Sequence, residues 1–217
     1  MTVTCPSLFV VSGPSGVGKT SLVSALTEAL PQITCPVSYT TRAPRPGERD
    51  GIDYYFVSTE QFDDMVAQES FLEHARVFGN FYGTSRHTVE NHLQQGETLL
   101  LEIDWQGAAQ ARKLFPEVIT VMILPPSISN LRERLDQRQQ NADGEIEQRM
   151  LAATNELGHF AEFDYLIIND NFETALEELR SVIIAGGLRH SVQREKIAQL
   201  LPELDPASPG HRRDPLT

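Results

Sequence analysis

The feature that most constrains the fold is a glycine-rich segment placed between an apolar run and a helix-forming run. Residues 13–20 read Gly-Pro-Ser-Gly-Val-Gly-Lys-Thr and satisfy the pattern G-x-x-x-x-G-K-[ST]. The preceding run, Ser7 to Ser12, is apolar with β-branched residues and is typical of a buried parallel strand. The following run, Lys19 to Leu30, carries apolar residues at helical spacing and stops before Pro31. A strand, a glycine turn and a helix in this order predict the start of an α/β fold.

Residues 13–20 have the composition of a phosphate-binding loop. Glycines let the backbone curl so that several N–H groups point at one phosphate, and the following helix adds the positive end of its dipole. Lys19 is expected to reach the β- and γ-phosphates of a nucleoside triphosphate, and Thr20 to offer its hydroxyl to Mg²⁺. The predicted ATP-binding residues are Gly13, Pro14, Ser15, Gly16, Val17, Gly18, Lys19 and Thr20. The motif does not indicate the phosphate acceptor.

The rest of the chain alternates between strands and helices except in one block. Apolar runs at Thr98–Ile103, Val118–Leu124 and Tyr165–Ile168 predict further strands, with helical spacing between and after them. This alternation predicts a parallel sheet covered by helices on both faces. Residues 38–95 interrupt it, and their first part, Ser38 to Asp53, is rich in Thr, Arg, Pro and Gly without a period. We interpret that part as a structured loop and the whole block as an inserted lobe.

Composition narrows the classes of function. The net charge of −12 argues against a nucleic-acid binder, because such proteins usually carry a basic face. No apolar run is long enough to cross a bilayer, and no basic region precedes the short N-terminal apolar stretch, so we expect no membrane span, no secretion signal and a cytoplasmic protein. Cys5 and Cys35 match no metal spacing and are interpreted as ordinary thiols. The sequence leaves the formation of a homo-oligomer open.

Two arginines stand out in the segment from Ser38 to Glu48. Arg42 and Arg45 lie three residues apart in a loop that Pro44 and Pro46 stiffen. The planar forks of two such arginines can hold a dianionic phosphate between them. The alternative is a solvated loop whose arginines pair with surface carboxylates, and this segment alone does not decide between the two.

Five short motifs together resemble the guanylate kinase family. S-x-T-T-R-x-P-R-x-G-E begins at Ser38 and is followed in order by D-Y-x-F, F-L-E-H-A, G-N-x-Y-G-T and I-D-x-Q-G. The resemblance spans about residues 7 to 190. It implies a P-loop α/β fold and an ATP:GMP phosphotransferase that uses Mg²⁺ and yields ADP and GDP.

The resemblance also implies which residues bind GMP. Those for its phosphate are Arg42, Arg45, Tyr54 and Tyr82, and those facing the guanine are Ser38, Glu73, Thr84 and Asp104. The chemistry of the base agrees, because a carboxylate such as Glu73 can accept from the N1–H and N2–H₂ donors of guanine, whereas adenine would turn a bare lone pair toward it. For Glu73 and Asp104, the alternative is a helix N-cap or a structural ion pair.

A helical lid is the last part that the resemblance implies. Its arginines are expected to close over the phosphates, and the catalytic residues implied are Lys19, Arg134, Arg138 and Arg149. Asn169 resembles a family residue near the adenine. The chain departs from the family at Gln139, where a glycine is usual, and at Glu102, where aspartate is common. Without a glycine at position 139, the lid hinge and the placement of Arg138 can differ from those of the family. With glutamate at position 102, a role of this residue in organising Mg²⁺ does not follow directly from the resemblance.

These inferences predict one architecture and leave two alternative functions. We expect a three-layer α/β core with a parallel sheet (1–37, 96–127 and 161–201), a small α+β GMP-binding lobe (38–95), a helical lid (128–160) and a disordered tail (202–217). A related kinase acting on ribose 1,5-bisphosphate would not need the guanine-facing set. A non-catalytic guanylate-kinase-like module that binds phosphopeptides would tend to lose the lysine found here as Lys19.

Overall fold

A five-stranded parallel sheet forms the centre of the molecule. The computed structural model describes residues 7–137 and 143–197. The strands of this sheet are β1 (Leu8–Ser12), β2 (Ile33–Thr34), β7 (Thr98–Glu102), β8 (Ile119–Leu124) and β9 (Tyr165–Ile168). Their order is β2-β7-β1-β8-β9, and every pairing between neighbours is parallel.

Helices cover both faces of this sheet. They are α1 (Lys19–Ala29), α3 (Arg86–Gln94), α4 (Trp105–Leu114) and α7 (Phe172–Gly187). Because side chains alternate along a strand, Phe9 of β1 packs with α1 and α7 on one face, while Val10 packs with α3 and α4 on the other. Both side chains are fully buried, which explains why β1 is apolar at every central position. The predicted three-layer α/β core is confirmed.

A second, four-stranded sheet lies within residues 38–95, the range predicted for the inserted lobe. Its strands are β3 (Tyr39–Thr40), β4 (Tyr55–Phe56), β5 (Phe71–Val77) and β6 (Asn80–Ser85), in the order β4-β3-β6-β5. Helix α2 (Thr59–Ala67) begins with a capping box between Ser58 and Gln61 and buries Phe62 against Phe71, with ring centres 4.5 Å apart. The interpretation of residues 38–53 as a loop without strands was wrong, because β3 forms there by pairing with β6.

Two helices lie within the range predicted for the lid. They are α5 (Ile128–Asp136) and α6 (Asp143–Leu157), which pack together through Leu131, Leu135, Met150 and Ala153. Helix α5 also lies on the phosphate loop, where a Cβ added at Gly16 would be 2.9 Å from Cδ2 of Leu135. The glycine therefore allows the helix to approach. Arg138 and Gln139 lie outside the described residues.

Several boundaries differ from the sequence predictions. Strand β2 and helix α8 (His190–Lys196) were not predicted, and helix α6 ends at Leu157, before the end of the range 128–160 predicted for the lid, and is followed by a 3-10 turn at Phe160–Glu162. Cys35 is exposed, whereas Cys5 and the tail 202–217 lie outside the described residues. Across the described part of the chain, no helix has the length and apolar character to cross a membrane.

Candidate nucleotide-binding cleft

A cleft of about 460 Å³ lies where the phosphate loop, the four-stranded sheet and the carboxyl ends of the parallel strands meet. Ligands bind at the carboxyl ends of strands in open parallel sheets, because loops and helix N-termini converge there. The cleft is lined by most of the residues predicted to bind nucleotides: Pro14, Ser15, Gly16, Gly18, Lys19, Thr20, Ser38, Arg42, Arg45, Tyr54, Glu73, Tyr82 and Asp104. The structure therefore brings the two predicted halves of the site together.

The phosphate loop has a backbone that only glycine fits at two critical points. Gly13 has φ 141°, and a Cβ there would lie 2.4 Å from the carbonyl oxygen of Ile123. Gly18 has φ 99° and is the N-cap of α1, so the unpaired N–H groups at the start of that helix face the loop. The Lys19 ammonium donates to the carbonyl oxygen of Gly13, which folds its side chain back over the loop.

Two predicted residues brace this loop from outside. Asn169 is buried, and its Nδ2 donates to the carbonyl oxygen of Val17 over 2.7 Å. The guanidinium of Arg134 donates to the carbonyl oxygen of Asn169 over 2.9 Å and also contacts that of Val17. A Cβ at Gly18 would lie 2.5 Å from Nδ2 of Asn169. Asn169 and Arg134 thus both stabilise the shape of the loop.

The hydroxyl of Thr20 is the predicted Mg²⁺ ligand, and it contacts a carboxylate. Its Oγ1 donates to Oε1 of Glu102, at the end of β7, over 2.7 Å. A hydroxyl beside a carboxylate is a pair of hard oxygen donors, which suits Mg²⁺ shared with substrate phosphates. Residues 7–137 and 143–197 contain no group of three or more His, Cys, Asp or Glu that could hold a metal ion by themselves.

Three of the four predicted guanine-facing residues form a hydrogen-bonded chain whose inner end is buried. Thr84 Oγ1 donates to Oε1 of Glu73 over 2.6 Å and lies 3.1 Å from Oγ of Ser38. Only 3% of Glu73 is exposed. Burial raises the pKa of Glu73 to about 7, the hydrogen bond from Thr84 opposes this, and the charge of Asp104 adds to it. The hydrogen bond therefore fixes the position of the carboxyl group, and its raised pKa means that it gains or loses its proton near neutral pH.

Helix α4 closes the other side of this slot through its first turn. Asp104 is the N-cap, and its Oδ1 accepts from the backbone N–H of Gly107 over 2.9 Å. A Cβ at Gly107 would lie 2.5 Å from Oε2 of Glu73, so the glycine makes room for that carboxylate. The N-cap alternative considered for Asp104 is the one that the structure shows, and the residue also lines the cleft.

Among the residues predicted to bind the GMP phosphate, Arg42 forms a two-pronged ion pair with Glu48. Both bonds measure 2.9 Å, and Glu48 also accepts from the backbone N–H of Arg45. The arginine lies over the ring of Tyr54, 5.5 Å from its centre, and Tyr54 meets Tyr82 edge to face. Burial raises the pKa of Tyr54 to about 12, so its hydroxyl stays protonated and able to donate. The alternative of a carboxylate-paired arginine thus holds for Arg42, but the pair is partly buried inside the cleft.

Helix α6 contributes two further residues at the edges of the cleft. The guanidinium carbon of Arg149 lies 5.8 Å from the centre of the Phe78 ring, at the tip of the β5–β6 hairpin. Glu156 lines the cleft and accepts from Oγ of Ser12 over 3.2 Å. Neither Glu48 nor Glu156 was predicted as a site residue. Glu48 is the last residue of the motif that begins at Ser38, whereas Glu156 lies in none of the five motifs.

Comparison with known proteins agrees with this geometry. The guanylate kinase family model matches residues 6–186. The guanylate kinase of Saccharophagus degradans is 53% identical over 198 residues, covering 91% of this chain and 97% of that protein. That of Coxiella burnetii is 49% identical, covering 91% and 96%. The crystal structure of guanylate kinase from Anaplasma phagocytophilum superposes with a TM-score of 0.76 at 33% identity, covering 93% of this chain and 98% of that one. The chain belongs to the guanylate kinase family.

Proposed function

We propose that this protein transfers the γ-phosphate of ATP to GMP, giving ADP and GDP, and that the cleft holds the two nucleotides end to end. The observation that carries this proposal is the hydrogen-bonded chain of Ser38, Thr84 and Glu73 in the same cleft as the phosphate loop. A phosphate loop alone would suit any nucleoside triphosphatase. A carboxylate held in a fixed slot opposite it suits an acceptor with adjacent N–H donors.

Guanine is the purine whose edge fits this slot. Glu73 accepts from N1–H and N2–H₂ while the hydroxyl of Thr84 holds the carboxylate in place, and the hydroxyl of Ser38 lies beside them to donate to O6. Asp104 lines the same slot as a second acceptor. Adenine would leave the carboxylate facing a lone pair, and a site built to pair a polar edge rejects analogues that lack it by large factors.

The acceptor phosphate is held by the arginines and tyrosines of the lobe. Arg42 and Arg45 supply positive forks, and Tyr54 and Tyr82 supply hydroxyl donors. Glu48 holds Arg42 in place before the nucleotide binds, which reduces the cost of ordering its long side chain. Because the second ionisation of a phosphate monoester lies near pH 6, the attacking oxygen is already deprotonated at neutral pH. The reaction therefore needs no general base.

The donor phosphates are held by the loop and by the lid. Backbone N–H groups of the loop, to which every residue of 13–20 except Pro14 can contribute, and the Lys19 ammonium bind the β- and γ-phosphates, and Thr20 with Glu102 supplies oxygen ligands for Mg²⁺. When bound, Mg²⁺ neutralises phosphate charge and aligns the triphosphate. Negative charge develops on the transferred group, and it is stabilised by the positive charges of Arg134, Arg138 and Arg149. The lid also excludes water.

An assay of ADP release across AMP, GMP, UMP, CMP, dTMP and ribose 1,5-bisphosphate tests this proposal. We expect turnover with GMP to exceed that with each other acceptor by at least about 100-fold, because only guanine pairs with the carboxylate-lined slot. Preference for ribose 1,5-bisphosphate would identify the related sugar-phosphate kinase. Phosphopeptide binding without turnover of any acceptor would identify a non-catalytic module.

A further inference from the structure

Helix α6 carries a carboxylate that reaches the start of the phosphate loop. Glu156 accepts from the hydroxyl of Ser12, the buried last residue of β1, and the backbone N–H of Gly13 lies near enough to its carboxylate to lower the pKa. Burial raises the pKa of this carboxyl group, whereas the neighbouring Lys19 lowers it and Asp104 raises it. A carboxylate beside a triphosphate site repels the ligand, so its presence there requires a structural benefit. Both contacts of Glu156 join the lid to the phosphate loop, which indicates that the benefit is to hold these two parts together.

The same helix reaches the opposite side of the cleft. Arg149 lies seven residues before Glu156, which is two helical turns and about 10 Å along the axis, so both side chains are on one face. The Arg149 guanidinium lies over the ring of Phe78, which lines the cleft. Between the two ends, Met150 and Ala153 are buried against α5. Helix α6 thus spans from the phosphate loop to the tip of the lobe.

We propose that Glu156 is a positioning residue, which fixes the C-terminal end of α6 on Ser12 and Gly13 and thereby sets where Arg149 stands during phosphoryl transfer. The inference rests on the proposed function, in which Arg149 neutralises charge on the transferred group. Arginines of this kind act only in the correct geometry, and a misplacement of about 1 Å can cost about 100-fold in rate. An anchor two turns away has this leverage because a helix is stiff along its axis.

Two other roles for Glu156 make different predictions. A general base would have to lie against the acceptor nucleotide, but Glu156 is bonded to the loop side of the cleft, at the residues where β1 ends. A charge partner for Lys19 would act through the negative charge itself. An anchor acts through hydrogen bonds, which the amide oxygen of glutamine can also accept.

The test compares rates of GDP formation for the wild type, Glu156→Ala, Glu156→Gln, Arg149→Ala and the double variant Glu156→Ala/Arg149→Ala. We expect Glu156→Ala to lower kcat about 10- to 100-fold with less than about 3-fold change in either KM. Glu156→Gln should retain most of the activity. In the Arg149→Ala background, Glu156→Ala should change kcat less than about 3-fold, because the residue it positions is already absent.

The controls separate misfolding and the proposed function from the inference. Asn155→Ala changes the adjacent exposed residue and should leave kcat unchanged. If Glu156→Ala does not fold, Ser12→Ala removes one partner of the carboxylate and should give a smaller loss of kcat that also vanishes in the Arg149→Ala background. Additive losses in the double variant, or a loss in Glu156→Gln equal to that in Glu156→Ala, would overturn the inference. A wild type that forms no GDP would instead refute the proposed function.

Discussion

Replacement of Glu73 by glutamine tests the base-binding slot most directly. Glutamine keeps the shape of the side chain and an oxygen for the hydroxyl of Thr84. It replaces the second acceptor oxygen with an NH₂ donor, which would face the N–H donors of guanine. The loss is that of one hydrogen bond to a charged group, about 1.5–3 kcal/mol. We therefore expect the KM for GMP to rise about 10- to 150-fold. The KM for ATP should change less than about 2-fold, because the phosphate loop binds ATP elsewhere in the cleft.

The pH dependence of Glu73→Gln gives an independent check. Burial raises the pKa of Glu73 from the ordinary 4.5 to about 7, so the folded protein holds this proton more tightly than the unfolded chain does. That stabilisation is fully present below pH 4.5 and is lost as the pH rises through 7, an effect of about 3 kcal/mol. Glutamine stays neutral at every pH. The difference in unfolding midpoint, variant minus wild type, should therefore increase between pH 5 and pH 8.

Initial-rate kinetics with each nucleotide varied in turn, together with thermal unfolding at several pH values, measure these quantities. Glu90→Gln is the matched control, because it makes the same change at an exposed position of α3. We expect no effect from it on either KM. The ratio of the KM for GMP, variant to wild type, is measured between pH 6.5 and 8.5. The ionisation of the GMP phosphate cancels in this ratio, because it affects both proteins equally. Equal increases in the KM for GMP and for ATP would show that Glu73 does not bind the base.

Three further changes probe other parts of the cleft. Lys19→Ala should lower kcat at least about 100-fold without changing GMP binding measured by calorimetry, because the ammonium acts on the donor phosphates; near-normal turnover would remove Lys19 from the mechanism. Gly107→Ala would place a methyl group 2.5 Å from Oε2 of Glu73. The overpacking, about 1–3 kcal/mol, should raise the KM for GMP about 5- to 150-fold. An unchanged KM would show that the slot can adjust to the methyl group. Thr20→Val should raise the Mg²⁺ concentration for half-maximal rate while Thr20→Ser does not, and equal Mg²⁺ curves for both would exclude a role for the hydroxyl.

The long elements were predictable because they carry their own signal. Strand β1 is apolar along its length since both faces are covered, and α2 shows its start through Ser58 and Gln61. Strand β2 could not be predicted in the same way. Ile33 and Thr34 form a strand only because they pair with β7, whose residues lie more than 60 positions later. A strand of two residues has no period, so its existence depends on the tertiary structure.

In the candidate site as well, residues within a local motif were predictable, and contacts between distant residues were not. The phosphate-loop motif and the resemblance together gave Lys19 and Glu73, since each lies in a motif that is contiguous in sequence. The bond between Asn169 and Val17 joins residues 152 positions apart, and that between Ser12 and Glu156 joins residues 144 positions apart. Such contacts depend on where α6 and β9 pack in three dimensions. Local spacing contains no signal for them.

The charges that line the cleft suggest why its carboxylates are bonded to neighbouring functional groups. Among the residues that line it, carboxylates outnumber cations, although the proposed ligands are polyanions. The carboxylates are Glu48, Asp53, Glu73, Glu102, Asp104 and Glu156, and the cations are Lys19, Arg42 and Arg45. Several of these carboxylates are bonded to a group with a proposed part in the reaction, such as the guanidinium of Arg42 or the hydroxyl of Thr20. They hold those groups ready, but they also repel phosphate. A triphosphate can therefore bind well only when additional positive charge arrives with it, which is the role proposed for Mg²⁺ and the lid arginines.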